Sequence, residues 1–176
     1  EEGCHHQSGE LMRIAIVGSG YVGLVSGACL ADFGHKVVCI DKAEAKIVDL
    51  QAGRMPIYEP GLEELVCKNS ATGQLAFTSA LAPAVADADV VFIAVGTPSR
   101  RGDGHADLSY IYEAAREIAA AVRGFTVVAV KSTVPVGTGD EVERLIRGCN
   151  PAADVAVVSN PEFLREGAAI DDFKRP

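Results

Sequence analysis

Apolar positions in this chain fall into two kinds of segment that take turns along it. Short runs of almost wholly apolar residues stand at Ile14–Val17, Val37–Ile40, Val90–Val95 (after Asp89), Phe125–Val130 and Val155–Val158 (after Asp154). A shorter one, Ala76-Phe-Thr78, belongs with them. Such runs suit strands buried on both faces of a parallel sheet. Between them lie segments of helical spacing at 24–33, 43–51, 62–67, 82–87, 108–122 and 138–146. Gly53, Gly124 and Gly148 stand where three of these helices should stop, and Asp107 is placed to N-cap the fifth. Strand and helix alternate throughout, which predicts an α/β fold with a doubly wound parallel sheet of Rossmann type.

Glycine and proline mark the segments that belong to neither kind. Arg54-Met-Pro-Ile-Tyr-Glu-Pro-Gly61 carries two prolines and a glycine and should form a shaped loop. Each later strand also delivers a polar, proline-bearing segment: Gly96-Thr-Pro98, Lys131-Ser-Thr-Val-Pro-Val-Gly137, and Ser159-Asn-Pro-Glu-Phe-Leu-Arg-Glu-Gly167. In a parallel sheet these three converge on one edge, the edge where ligands bind in open α/β folds. On that ground Thr97 and Pro98 read as ligand-facing, and Arg100, Arg101 and His105 as a solvated loop. The final stretch, Lys174-Arg-Pro176, shows no terminating structure.

The first strand runs straight into Gly18-Ser-Gly-Tyr-Val-Gly23, and the second ends on Asp41. Strand, G-x-G-x-x-G turn, helix, strand and acid form the dinucleotide-binding order. Gly18 permits the tight turn, Gly20 leaves room for a pyrophosphate, and Gly23 lets the helix lie close on the sheet. The first amides of the helix lack intrahelical partners and point at the phosphates, and Tyr21 and Val22 of the same turn are candidate cofactor contacts. Asp41 suits an adenosine ribose and repels a 2′-phosphate, which favours NAD over NADP. Lys42 and Lys46 beside it work against that preference.

Composition narrows the picture further. With 176 residues and 48% hydrophobic content, the chain can build one substantial core. Its net charge of −8 argues against a nucleic-acid partner. No apolar run is long enough to span a membrane. The five cysteines are scattered and form no C-x-x-C pair, so no metal site is expected and a reducing cytoplasm suits them. Cys29 and Cys39 read as core residues. Residues 1–11, with His5 and His6, show no periodicity and read as a disordered leader or added remnant before Met12. Residues 12–176 then form the NAD-binding domain.

Four segments in order carry a resemblance: Gly18–Gly23, Pro56-Ile-Tyr-Glu-Pro-Gly-Leu62, Lys131–Thr138 and Asn160-Pro-Glu-Phe-Leu-Arg-Glu-Gly167. Val95-Gly-Thr-Pro98 and Ala106-Asp-Leu-Ser-Tyr110 reinforce it. Together they resemble the N-terminal half of the UDP-glucose 6-dehydrogenases, within the UDP-glucose/GDP-mannose dehydrogenase family. The resemblance implies oxidation of the C6 alcohol of UDP-glucose to UDP-glucuronate by two molecules of NAD, through a cysteine thioester, in a homodimer. It implies that Val22, Asp41, Lys46, Thr97, Thr133 and Glu166 contact NAD. It implies further that Glu162, Phe163, Leu164, Arg165 and Glu166 line the sugar nucleotide and that Thr133 with Glu162 holds a catalytic water.

Glu162 and Glu166 are four apart, so on one helical turn they would share a face. The plainer reading of Pro161-Glu162 is a helix start. Arg165 could meet a substrate phosphate or pair with Asp171 or Asp172. No cysteine here lies in the family's glycine-rich catalytic motif, and the family's catalytic lysine has no counterpart. The resemblance therefore implies a cofactor domain that is inactive alone. GDP-mannose 6-dehydrogenase is the alternative within enzymes, and an NAD-sensing module the alternative outside them.

Overall fold

The computed structural model describes residues 11–98 and 106–175. The readings for residues 1–10 and for Arg100, Arg101 and His105 lie outside these described residues. Six strands form one sheet: β1 (Arg13–Val17), β2 (Lys36–Ile40), β3 (Leu75–Thr78), β4 (Val90–Ile93), β5 (Thr126–Val130) and β6 (Val155–Ser159). Their order is β3-β2-β1-β4-β5-β6, and every pairing is parallel. The doubly wound fold expected from the alternating runs is therefore present. The chain winds outward from β1 through β2 to β3, then returns to lay β4 against the other side of β1. Ile14 consequently pairs with Val37 on one side and Val90 on the other. The reversal at β1 is the topological switch point of such a sheet.

Period-two alternation sorts the side chains of β1 between two cores. Ile14 and Ile16 enter one core with Leu24, Val25, Cys39 and Leu62. Ala15 and Val17 enter the other with Ile93, Ile111, Ile118 and Ile146. Helices α1 (Tyr21–Asp32), α2 (Glu44–Gln51), α3 (Leu62–Ala71) and α7 (Ala169–Lys174) supply the first core. Helices α4 (Leu81–Ala86), α5 (Ser109–Ala121) and α6 (Thr138–Cys149) supply the second. Both faces of the sheet are covered, which is why its strands need no polar alternation.

Several local expectations change. The first helix begins at Tyr21, directly after the glycine turn rather than at residue 24, and is buried on most sides. The sheet, α3 and α7 all pack on it, so small residues (Gly23, Ser26, Gly27, Ala28) replace a polar face. The sixth helix runs through Gly148 to Cys149. Asp107 stands one place before the N-cap, which is Leu108. Its amide is drawn to Pro98 O at 2.8 Å, and its carboxylate accepts the Ser109 amide at 3.0 Å.

A short helix, α7, precedes Arg175 and ends at Lys174. Gly167, at φ +86°, turns the chain, and α7 then sets Ala169, Ile170 and Phe173 on the α1 side of the molecule. Phe173 stacks on Phe33 with ring centroids 6.4 Å apart. A six-residue helix is too short for its apolar spacing to register as a pattern.

Candidate functional site

The glycine turn sits at the switch point. Gly18, at φ +106°, lies so close to β4 that a Cβ would come 2.6 Å from Ala94 O. A Cβ on Gly23 would fall 1.9 Å from Gly18 O, so the turn and the first turn of α1 are in backbone contact. Gly20 differs: a Cβ there would meet nothing within 4 Å. Protein packing therefore requires glycine at 18 and 23, whereas the absent side chain at 20 leaves open space. That space lies at the N-terminus of α1, whose N-cap, Gly20, provides no side-chain cap. The first amides of the helix, with the positive end of its dipole, face outward for an anion.

A cavity of about 600 Å³ opens beside this turn, bounded by Gly18, Gly20, Asp41, Lys46, Pro98 and Glu117 among others. Asp41 is built into its wall. Oδ2 accepts the Ser19 amide at 3.1 Å and the Lys46 ammonium at 2.6 Å, while Oδ1 accepts the Ala43 amide at 3.0 Å. The acid that should recognise a ribose thus also holds the glycine turn. Burial pushes its pKa up, but Lys46 and the two amides outweigh burial and hold it below the ordinary carboxylate value. A carboxylate offers about four lone-pair directions, and three are used here.

The later strands bring their loops to the same edge. Thr97 is half-buried and Pro98 exposed after β4, and Thr133 is exposed after β5. Ser132 Oγ donates to Val95 O at 2.7 Å and ties these two loops together. After β6, Glu162 is half-buried and its Oε2 accepts the Leu164 amide at 2.7 Å. Residues 160–165 are not helical, so the helical-face relation between Glu162 and Glu166 and the helix-start reading of Pro161-Glu162 both fail. Local hydrogen bonding of this kind gives the backbone an alternative to the helix. Glu166 lies in the turn before α7, and its charge adds to burial and to Glu59, the larger causes, in raising the pKa of Tyr21. Phe163 is 85% exposed, and Leu164 packs against the α1 core. Arg165 pairs with Asp172 at 2.7 Å, rather than with Asp171.

Residues 12–176 match the NAD binding domain of the UDP-glucose/GDP-mannose dehydrogenase family. The chain belongs to that family. It is 73% identical over 165 residues to the UDP-glucose 6-dehydrogenase of Rhizobium meliloti, covering 94% of this chain and 38% of that relative. Among solved structures, a UDP-glucose dehydrogenase from Pyrobaculum islandicum superposes with a TM-score of 0.91 at 42% identity, covering 99% of this chain and 41% of that one. A GDP-mannose dehydrogenase from Pseudomonas aeruginosa superposes with a TM-score of 0.89 at 45% identity, covering 94% and 39%. The chain thus spans well under half the length of these relatives. Its cofactor as a member of the UDP-glucose/GDP-mannose dehydrogenase family is NAD.

Two residues of this family domain were not singled out by the sequence. Glu59, in the proline-bearing loop before α3, is only 5% exposed. Its Oε2 accepts the Tyr21 hydroxyl at 2.6 Å and the Gly167 amide at 2.8 Å, and its Oε1 accepts the Ala169 amide at 2.9 Å. One carboxylate therefore joins the cofactor turn to the segment after β6. Burial pushes its pKa up, yet these three donors together hold it below its ordinary value. An acid set between Tyr58 and Pro60-Gly61, the one acid of the loop from Arg54 to Gly61, was the available sign.

Lys131 follows β5 directly and is 6% exposed, with Nζ 3.1 Å from Asn160 Oδ1 and 5.4 Å from the Phe173 ring centroid. Burial pulls its ammonium below the ordinary lysine range, and the charge of Glu162 partly restores it. Cys29 and Cys39 are fully buried, as the spacing predicted, and burial raises their pKa values to about 11 and about 12. Among the described residues no group of side chains could hold a metal, and no helix is long and apolar enough to cross a membrane.

Proposed function

We propose that this chain supplies the NAD-binding part of a UDP-glucose 6-dehydrogenase that oxidises UDP-glucose to UDP-glucuronate with two NAD and acts as a homodimer in a reducing cytoplasm. The observation that carries the cofactor site is the open space over Gly20, at the uncapped N-terminus of α1 and beside Asp41. The substrate reading rests on the 73% identity to the Rhizobium meliloti enzyme. NAD, when bound, is the acceptor of the hydride removed from the sugar.

The remaining roles belong to residues of this chain. Amides of Tyr21, Val22 and Gly23 hold the pyrophosphate, and the free lone pair of Asp41 takes a ribose hydroxyl. Lys46 steadies that carboxylate. Thr97, Pro98, Thr133 and Glu166 extend the cofactor site along the sheet edge. Glu162, half-buried with one oxygen bound to the Leu164 amide, has its other oxygen for a proton from the alcohol or from water. The Thr133 hydroxyl orients that water. Phe163, Leu164 and the backbone around Arg165 and Glu166 line the sugar nucleotide.

The likeness to the Pseudomonas aeruginosa GDP-mannose dehydrogenase supports a second reading of the base. Two measurements separate the possibilities. Calorimetric titration should give tighter binding of NAD than of NADP, and equal or tighter NADP would overturn the cofactor assignment. NADH formation by the complete enzyme should be faster with UDP-glucose than with GDP-mannose. The reverse preference would overturn the substrate, and binding of NAD with neither sugar oxidised would favour a sensing module.

A further inference from the structure

Among the described residues that line the 600 Å³ cavity, the cations are Lys42 and Lys46 and the anions are Asp41, Glu113 and Glu117. NADP-binding sites place a cation near the end of the second strand to meet the 2′-phosphate. Two lysines stand at that place here, so Asp41 alone does not secure the choice of NAD. Both lysines, however, are engaged. Lys46 donates to Asp41 at 2.6 Å. Lys42, next to Asp41 in sequence, reaches away from it to α5, where Nζ lies 2.7 Å from Glu113 Oε1 and 2.6 Å from Glu117 Oε1.

We propose that Glu113 and Glu117 are cofactor-specificity residues, which withhold Lys42 from a 2′-phosphate and keep the ribose rim of the cleft negative. The inference rests on the reading of this cleft as the NAD site. Glu113 and Glu117 are four residues apart on α5, so they share one helical face and converge on a single ammonium. One carboxylate would suffice to neutralise Lys42. The second leaves the five rim charges with one negative charge in excess. Replacing both by glutamine would turn that excess positive and release a flexible lysine whose backbone adjoins the ribose acid. Pairs this exposed contribute little to stability, with side chains of Lys42 and Glu113 at 63% and 56% exposure. Their persistence in a geometry bordering the cleft is therefore better explained by the field they set there than by holding the fold.

Titration of wild type, E113Q/E117Q, and K42Q/E113Q/E117Q with NAD and NADP tests this. The double variant should bind NADP about tenfold more tightly than wild type at low ionic strength, and the gain should shrink as salt screens the rim. NAD should gain clearly less than NADP, because it shares the pyrophosphate but lacks the 2′-phosphate that the released Lys42 would meet, and an equal gain for both cofactors would overturn the specificity role. Adding K42Q should remove most of the NADP gain, which identifies Lys42 as the released cation. Unchanged NADP affinity in the double variant, or equal weakening of both cofactors, would overturn the proposal and leave the two glutamates as parts of the wall. Failure of wild type to bind NAD would instead overturn the reading of the cleft, and this inference with it.

Discussion

The Tyr21 hydroxyl, inside the glycine turn, donates to the buried carboxylate of Glu59 at a distance of 2.6 Å. The same carboxylate receives two amides from the segment that follows β6. Glu59→Gln keeps the shape but sets an NH2 group against those donors. It should destabilise the protein by about 2 kcal/mol, since hydrogen bonds to a buried charge are costly to lose. The melting temperature should fall by roughly 4–8 °C. NAD affinity should fall with it, because Tyr21 positions the turn. Tyr21→Phe should cost less, as the two amides remain satisfied. A melt of Glu59→Gln that coincides with wild type would refute the role.

Acid should loosen the α1–α3–α7 corner in a defined range. Asp32 accepts Lys174 Nζ at 2.7 Å and Lys68 Nζ at 2.8 Å, and these bonds, Lys174 first, lower its pKa from 3.8 to about 2. A depressed folded-state pKa stabilises in full above the unfolded value and is lost as pH falls through the folded one. Stability should therefore decline as pH drops from 3.8 towards about 2. Asp32→Asn should flatten that decline and cost about 1 kcal/mol at neutral pH, given that Lys68 is well exposed and screened. Chemical denaturation at several pH values checks both, and an equal slope in the variant would exclude Asp32.

The three turn glycines should separate by experiment. Gly20 has φ −80° and open space around it, so Gly20→Ala should change stability by no more than about 1 kcal/mol. It should nonetheless weaken NAD binding about tenfold or more, since the methyl group occupies the phosphate's approach. Gly23→Ala drives a Cβ into Gly18 O and should cost about 3 kcal/mol or more. Thermal melts beside NAD titrations read both effects. A Gly20→Ala protein that binds NAD normally would show that the pyrophosphate lies elsewhere.

The thiols should report their surroundings. Cys29 and Cys39 are buried, and Cys67 and Cys149 are exposed, the latter two outside the cavity wall. Native protein treated with a thiol reagent and mapped by mass spectrometry should be modified at Cys67 and Cys149, and at Cys29 and Cys39 only after unfolding. The same chain should produce no steady NADH from UDP-glucose, because thioester chemistry needs a placed and activated thiol. Production abolished by mutating one of these cysteines would place the nucleophile in this chain.

In the complete enzyme, Glu162→Gln should slow turnover far more than it weakens NAD. Proton acceptance is lost while the bond to the Leu164 amide can still be made through the amide oxygen. Unchanged kcat at saturating UDP-glucose would return Glu162 to a purely local role.

Much of this protein was written in its linear pattern. Buried parallel strands announce themselves as unbroken apolar runs, and a helix of ordinary length by its spacing, because both are properties of consecutive residues. The turn from Gly18 to Gly23 and the acid at Asp41 were legible for the same reason, since the βαβ unit that joins them is contiguous. What the pattern could not reveal were relations between residues distant in the chain. Glu59 binds Gly167, 108 positions away, and Lys131, just after β5, reaches Asn160, just after β6. The double use of Asp41, as a wall of the cavity and an anchor for Ser19, also appears only in three dimensions. The same holds for Lys42, which local sequence leaves beside Asp41 and tertiary packing hands to α5. The docking of α7 belongs with these. In each case the deciding energy is a hydrogen bond, ion pair or apolar contact made only after the sheet has brought remote segments together. No periodicity of neighbouring residues encodes it.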